Sequence, residues 1–370
     1  MASTNAFRIA VLPGDGIGQE VMPLAVELLE TAARRVGGFA LDLEWLDAGA
    51  GTYQKIGTAL PETTFEATRR ADAILLGAMG LPEVRYPDGT EIAPQLDLRF
   101  ELDLYAGVRP IRAIPSLPSP LADPRGREID LVIIRESTEG LFASRGKGTI
   151  EQDARASDTM VITRGVSERL FDFSFELARA RREKGRPGRV ACVDKANVFR
   201  SFAFFRKIFD ERAERFPDLE ADHVYIDASA LYLVRRPWDF DVMVTENMFG
   251  DILSDLGAGL IGGMGFAPSA DIGDEHAVFQ PSHGSAPDIA GQGRANPTAM
   301  ILSAAMMLEW LGRRHDVPQA QEAAALIEQA VDQVFAGGLL PFELGGAAGT
   351  RAIGEAVQQV VAGRRSAAAG

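Results

Sequence analysis

Cysteine is nearly absent. Cys192 is the only one in 370 residues, which excludes a disulfide framework and any CxxC metal or redox motif, and fits a reducing compartment. Histidine is scarce too: the four present are scattered, with no HExxH, so a zinc centre is not expected. There is no excess of positive charge. A net charge of −14 excludes the basic face that nucleic acid requires. An anionic small substrate is compatible only if local arginines overcome that field. Long hydrophobic runs are missing as well. The most apolar window, 297–311, is interrupted by Ser303 and Glu309 and is too short to span a bilayer. The opening MASTNAFRIAVLPGDG has neither a basic n-region nor a long apolar h-region. No signal peptide and a cytoplasmic protein are therefore expected.

What is there is a globular chain of roughly two domains, 46% apolar, in which strand-like and helix-like stretches alternate. Residues 7–35 read as strand, glycine turn and amphipathic helix. The glycines at 14, 16 and 18 have GxGxG spacing, which is either a tight turn or a loose relative of a dinucleotide loop. Strands are expected at 39–49, 71–80, 104–110, 129–137, 189–198 and at the start of 223–237. Residues 81–98 read as irregular, and 143–165 as a protruding hairpin. Helices are expected at 166–185, 202–216, 297–312 and 318–336, with a loop-rich segment after 265 and a disordered tail at 362–370. Such alternation indicates a mostly parallel sheet, with chemistry gathered at strand carboxyl ends.

The stretch 242–265 organises the rest. Val242, Val244 and Thr245 read as a buried strand broken by Gly250, with a helix from Asp251. Asp251 and Asp255 then lie one turn apart on one helix face. They are either first-turn acids favoured by the helix dipole or two ligands of Mg²⁺ or Mn²⁺. Arg99, Arg109 and Arg135 sit where strands or turns end, suited to gripping a dicarboxylate or to ordinary ion pairing. Lys195 follows the buried run VACVD; it could be a base of lowered pKa or a partner of Asp194. Asp227 ends HVYID and could be an N-cap or a third metal carboxylate. The glycine-rich 282–297 suits a loop wrapped around a nucleotide, with Asp288 accepting from ribose hydroxyls and repelling a 2′-phosphate.

PGDGIGQEV, LDLR, GVRP, DKANV, YIDASA, TENMFGDILSDL and HGSAPDIAGQGRANPTAMILSAAMMLE together resemble the β-decarboxylating dehydrogenases. That family includes 3-isopropylmalate, isocitrate, tartrate and D-malate dehydrogenases. The resemblance runs from about residue 7 to 355, and the wording of 192–311 is nearest the isopropylmalate branch. It implies an α/β isopropylmalate dehydrogenase-like fold, two α/β domains around a largely parallel mixed sheet, not a true Rossmann fold. Residues 1–104 and 262–370 would form a discontinuous cofactor-binding domain. Residues 105–261 would carry substrate, metal and dimerisation, with the hairpin near 143–165.

The resemblance further implies a homodimer with shared active sites, NAD, and Mg²⁺ or Mn²⁺. Arg99, Arg109 and Arg135, with Gln95 and Leu96, would hold a (2R)-malate-type acid. Asp251 and Asp255 of one chain and Asp227 of the other would hold the metal, and Lys195 of the partner would take the hydroxyl proton. His283, Gly284, Ser285, Ala286, Asp288, Ile289, Asn296 and Asn197 would line the cofactor. Three positions depart from the pattern. Phe142 replaces the family tyrosine that aids protonation, Gln280 stands where isopropylmalate enzymes have glutamate, and Ile92, Gln95 and Leu96 are not the isopropyl-pocket set. The expected activity is NAD- and metal-dependent oxidative decarboxylation. The alternatives are a tartrate or D-malate dehydrogenase and a catalytically silent regulatory subunit, against which retention of Lys195 and all three aspartates weighs.

Overall fold

The computed structural model describes residues 5–363. In chain order the elements begin β1 (Asn5–Gly14), α1 (Gly18–Val36), β2 (Phe39–Trp45), α2 (Ala50–Ile56), α3 (Glu62–Arg70), β3 (Ala73–Ala78) and α4 (Pro94–Glu101). There follow β4 (Ala106–Arg112), β5 (Asp130–Glu136), β6 (Thr149–Glu151), β7 (Arg155–Ser157), α5 (Arg164–Glu183), β8 (Arg189–Asp194) and α6 (Arg200–Ala213). Next come β9 (Glu220–Tyr225), α7 (Ile226–Arg235), β10 (Val242–Thr245) and α8 (Asn247–Leu260). The chain closes with β11 (Pro268–Ile272), β12 (Ala277–Pro281), α9 (Thr298–Arg314), α10 (Pro318–Ala336) and α11 (Thr350–Val361).

Ten strands form one sheet in the order β2-β1-β3-β12-β11-β4-β5-β10-β8-β9. The first four run parallel, as do the last four. Between them β11 and β4 are antiparallel to each neighbour, so the two parallel blocks run in opposite directions. Burial explains the composition. AILLGA of β3 and VMVT of β10 have strands on both sides and are wholly buried, which suits continuous apolar runs. β9, EADHVY, is an edge strand and almost wholly exposed, and its charges blunt that edge. Helix α1 buries Val21, Met22, Ala25, Leu28, Leu29 and Ala32 at helical spacing and stops at Gly37. β6 and β7 form a separate two-stranded hairpin within the expected 143–165 segment. Among the described residues no helix is long and apolar enough to cross a membrane.

Several readings need correction. Gly250 does not end the strand: α8 starts at Asn247, and Glu246 caps it by accepting from the backbone N–H of Met248 and Phe249. Polar Glu246-Asn247 hid that start. Residues 81–98 are not all irregular, because α4 begins at Pro94, a residue pre-set for a first helical turn. Arg99 therefore lies in a helix, not at a strand or turn end. The segment after 265 contains β11 and β12, and 318–336 is followed by α11. Of the tail at 362–370, residues 364–370 lie outside the described residues.

Candidate active site

The three arginines are brought close enough to interact electrostatically, and each is about 5% exposed. Arg109 comes from β4, Arg135 from the end of β5 and Arg99 from α4. Arg135 packs against α8: a Cβ on Gly250 would stand 2.6 Å from Cβ and Cγ of Arg135, so only glycine admits the side chain. Its guanidinium donates to Asn247 Oδ1 through Nε (2.9 Å) and Nη2 (2.7 Å), and to Asp251 Oδ1 through Nη1. Burial, reinforced by the charges of Arg99 and Arg109, pulls Arg135 down to about 10. Asp271 pairs with Arg99 and Arg109 and Asp251 with Arg135, so the cluster sets three cations against two carboxylates.

Asp251 and Asp255 share the face expected of them. Burial, then the charge of Asp251, raises the carboxyl of Asp255, as expected for like charges one helical turn apart. Asp227 is elsewhere. It is the second residue of α7, whose N-cap is Tyr225, so Asp227 is not the cap. Its Oδ1 accepts from Lys195 Nζ at 2.5 Å, which holds the Asp227 carboxyl below its usual range. Among the described residues no three His, Cys, Asp or Glu side chains gather as a metal site. Lys195 does not pair with Asp194. That buried carboxylate is taken by Arg206 through Nε and Nη2, both at 2.8 Å. The two halves of the expected catalytic set are thus Arg135/Asp251/Asp255 and Lys195/Asp227.

The expected cofactor loop meets the first block's carboxyl ends. Ile17 N–H donates to Ser285 O (2.8 Å), Ser285 Oγ donates to Gly80 O, and Glu20 accepts from the N–H of Gly291 and Gly293. Asp15, missed in the sequence, ties this region together by accepting from the backbone N–H of Ala50 (2.7 Å), Gly51 (2.8 Å) and Gly80 (2.8 Å). Ala286 has a left-handed φ of 37°, Gly284 and Asp288 are exposed, and Ile289 is half-buried. Asn296 donates to Glu343 Oε1 (2.7 Å), so it braces the loop from behind. Asn197 is exposed, on the loop after β8. His283 is held by Gly284 O at Nδ1 (2.9 Å), and burial lowers its pKa.

In the pocket set, Ile92 is fully buried with Ala50, Ala59 and Val84, while Gln95 and Leu96 are partly exposed on α4. Phe142 lies on a short turn (Leu141–Ser144) with its ring beside Arg135. Four buried side-chain polar atoms lack a partner among the described residues, and three of them are Gln95 Oε1, Arg99 Nε and His283 Nε2. Unpaired buried polar atoms are costly, and here they coincide with the residues expected to meet ligands.

Known proteins match along the whole length. The isocitrate/isopropylmalate dehydrogenase family profile matches residues 8–357. The 3-isopropylmalate/3-methylmalate dehydrogenase of Methanocaldococcus jannaschii is 43% identical over 355 residues, 96% of this chain and 98% of that protein. The 3-isopropylmalate dehydrogenase of Heyndrickxia coagulans is 44% identical, covering 90% of this chain and 89% of its own. The isocitrate dehydrogenase structure from Methylococcus capsulatus superposes with TM-score 0.84 at 37% identity, over 96% of this chain and 99% of that one. A β-decarboxylating dehydrogenase from Thermococcus kodakarensis gives 0.79 at 37% identity, over 96% of each chain. A mixed sheet of two opposed parallel blocks, a buried arginine cluster beside paired carboxylates, and these relatives agree: the chain belongs to the isocitrate/isopropylmalate dehydrogenase family of decarboxylating oxidoreductases.

Proposed function

We propose that the protein catalyses NAD- and divalent-metal-dependent oxidative decarboxylation of a (2R)-malate-type 2-hydroxy acid. The observation that carries this reading is the coincidence of unpaired buried atoms, Arg99 Nε, Gln95 Oε1 and His283 Nε2, with the expected substrate and cofactor residues. Arg99, Arg109 and Arg135 take the acid's carboxylates by charge-assisted hydrogen bonds. Lys195, supplied by the partner subunit and first deprotonated, accepts the hydroxyl proton, and Asp227 of the same chain, in contact with its Nζ, orients it. Asp251 and Asp255, joined by Asp227 of a partner subunit, suit Mg²⁺ or Mn²⁺ as hard oxygen donors. Bound metal and NAD⁺ would supply polarisation of the C2 oxygen and hydride acceptance. His283, Gly284, Ser285, Ala286, Asp288, Ile289, Asn296 and Asn197 would surround the cofactor, and Asp288 favours NAD over NADP.

A homodimer with shared sites is part of the proposal. Exposed apolar side chains (Val198, Phe199, Leu231, Val234 and Ile252) lie on α7, α8 and the loop after β8, in the same region as Lys195 and Asp227. A patch of that kind suits burial by a second copy. We divide the chain into a cofactor-binding part, 1–104 and 262–370, and a substrate and dimerisation part, 105–261. A cytoplasmic setting fits the single reduced cysteine.

The substrate reading is a substituted malate other than isopropylmalate, since Gln95 adds an amide to a pocket that Leu96 leaves partly apolar. The test is NADH production by the purified protein with Mg²⁺ or Mn²⁺ on D-malate, tartrate, isocitrate and 3-alkylmalates. Turnover that requires metal supports the reading; no turnover across that panel favours the silent-subunit alternative.

A further inference from the structure

We propose that Asp271 and Gln280 form a matched acid–amide pair that positions Arg99 and Arg109 for the substrate carboxylate. The inference rests on the reading of those arginines as the substrate's grip. Asp271 lies on β11, in the seam between the two parallel blocks, and its side chain is 2% exposed. Oδ1 accepts from Arg109 Nη2 (3.1 Å) and Ser137 Oγ (3.2 Å); Oδ2 accepts from Arg99 Nη2 (3.0 Å) and Gln280 Nε2 (2.8 Å). A carboxylate offers about four acceptor positions, so this one is saturated. It has no lone pair to spare as a base, and its work is to fix the groups that donate to it.

Those groups come from α4, β4, the turn after β5, and β12. Opposite Asp271 in the register is Gly107, where a Cβ would meet Ser137 Oγ at 2.6 Å and Asp271 Oδ1 at 3.1 Å. The missing side chain leaves room for the carboxylate. Burial by itself would raise the Asp271 pKa, but the charges of Arg99, Arg109 and Arg135 reverse this and hold it well below the usual range. It therefore stays a fixed anion between two cations. The arrangement leaves Arg99 Nε buried without a partner, a donor still free for a ligand.

The same geometry accounts for the departure at position 280. Gln280 reaches Asp271 with an N–H, and its backbone carbonyl is held by Ser269 Oγ (2.9 Å) and Ser303 Oγ (2.8 Å). Glutamate there has no hydrogen to donate at neutral pH. It would set a second carboxylate against the first, and the added negative charge would compete with substrate for Arg99 and Arg109. An acid at 271 thus requires an amide at 280.

Steady-state kinetics with D-malate as probe, alongside thermal melts, test the pairing. Gln280→Glu should raise KM by roughly tenfold or more with kcat changed less than about threefold, the size of a weakened charged hydrogen bond. The exchange variant Asp271→Asn/Gln280→Glu restores one acid and one amide and should return KM to within about threefold of the parent. A purely structural role would lower the melting temperature without this KM split and without rescue, and that result overturns the proposal. So does a Gln280→Glu enzyme with unchanged KM. If the unaltered protein turns over none of the malate-type acids, the reading of the arginines falls first and the pairing falls with it; an active parent with an indifferent Gln280→Glu variant defeats the pairing alone.

Discussion

The guanidinium carbon of Arg135 lies 5.1 Å from the centroid of the Phe142 ring, a cation–π contact at the edge of the arginine cluster. A phenylalanine there keeps the contact and supplies no proton. Oxidation, for which Lys195 is the proposed base, should persist, while the steps after it limit turnover. Stopped-flow mixing should show a pre-steady-state burst of NADH. Phe142→Tyr should speed the later steps by up to the 10²–10⁴-fold typical of general acid help. No burst, with a Tyr variant no faster than the parent, would mean that the proton comes from another group.

Asp251 serves two masters in this geometry, the expected metal and the buried Arg135. Asp251→Asn keeps an oxygen that can accept from Arg135 but removes a ligand charge. Turnover should fall by more than ~100-fold while the fold survives. Activity assays across a Mn²⁺ titration, with circular dichroism as the check on folding, decide it. Wild-type activity and unchanged Mn²⁺ dependence would reduce the two aspartates to helix acids.

Asp288 is exposed in the glycine-rich loop. NAD⁺ should be preferred strongly over NADP⁺, and Asp288→Lys should narrow the gap by reversing the charge offered to a 2′-phosphate. Equal kcat/KM for the two cofactors in the parent would refute it.

Burial pushes Glu136, the neighbour of Arg135, up to about 7, although its carboxylate accepts from the N–H and Oγ of Thr138 and the N–H of Glu139. A carboxyl whose folded pKa lies above its unfolded one stabilises the fold below the unfolded pKa, and that contribution is lost as pH rises through the folded value. Between roughly pH 4.5 and 7 this group should therefore cost on the order of 1–3 kcal/mol of stability. Urea unfolding at several pH values should show a shallower decline for Glu136→Gln. Identical slopes would remove Glu136 from the account.

Long apolar runs made the strands legible: β3, β5, β8 and β10 are buried on both faces and need no partner pattern to be seen. The missed elements lack such a signal. β11 reads PSADI, with a serine and an aspartate on the face opposite Pro268 and Ile272, because that face meets the arginines and Gln280 rather than an apolar surface. Functional polarity erased the strand pattern. The same applies to Asp271 and Asp15, whose importance lies in what folds onto them. Asp15 accepts from two N–H groups in the first turn of α2 and one in the loop after β3, and no local spacing announces that. Lys195, by contrast, directly follows β8 and was visible as such; Asp227, read as the end of a strand, lies in the first turn of α7, and the contact between the two was not legible.

The sheet order also sets a timetable for synthesis. Every strand from β4 to β10 that joins the main sheet is laid down between residues 106 and 245, so the second block's strands have all emerged before β11 begins. The first block has no such independence. β1, β2 and β3 emerge early, yet β3 finds its second neighbour only when β12 appears, pairing Ile74 with Val278 and Leu75 with Phe279. Contacts that distant in sequence form late and slowly. A ribosome that stalls between residues 245 and 277 leaves the apolar edge of β3 without β12 and, until residue 268 is made, the edge of β4 without β11. That interval, rather than any single residue, is where a nascent chain of this protein most needs a chaperone.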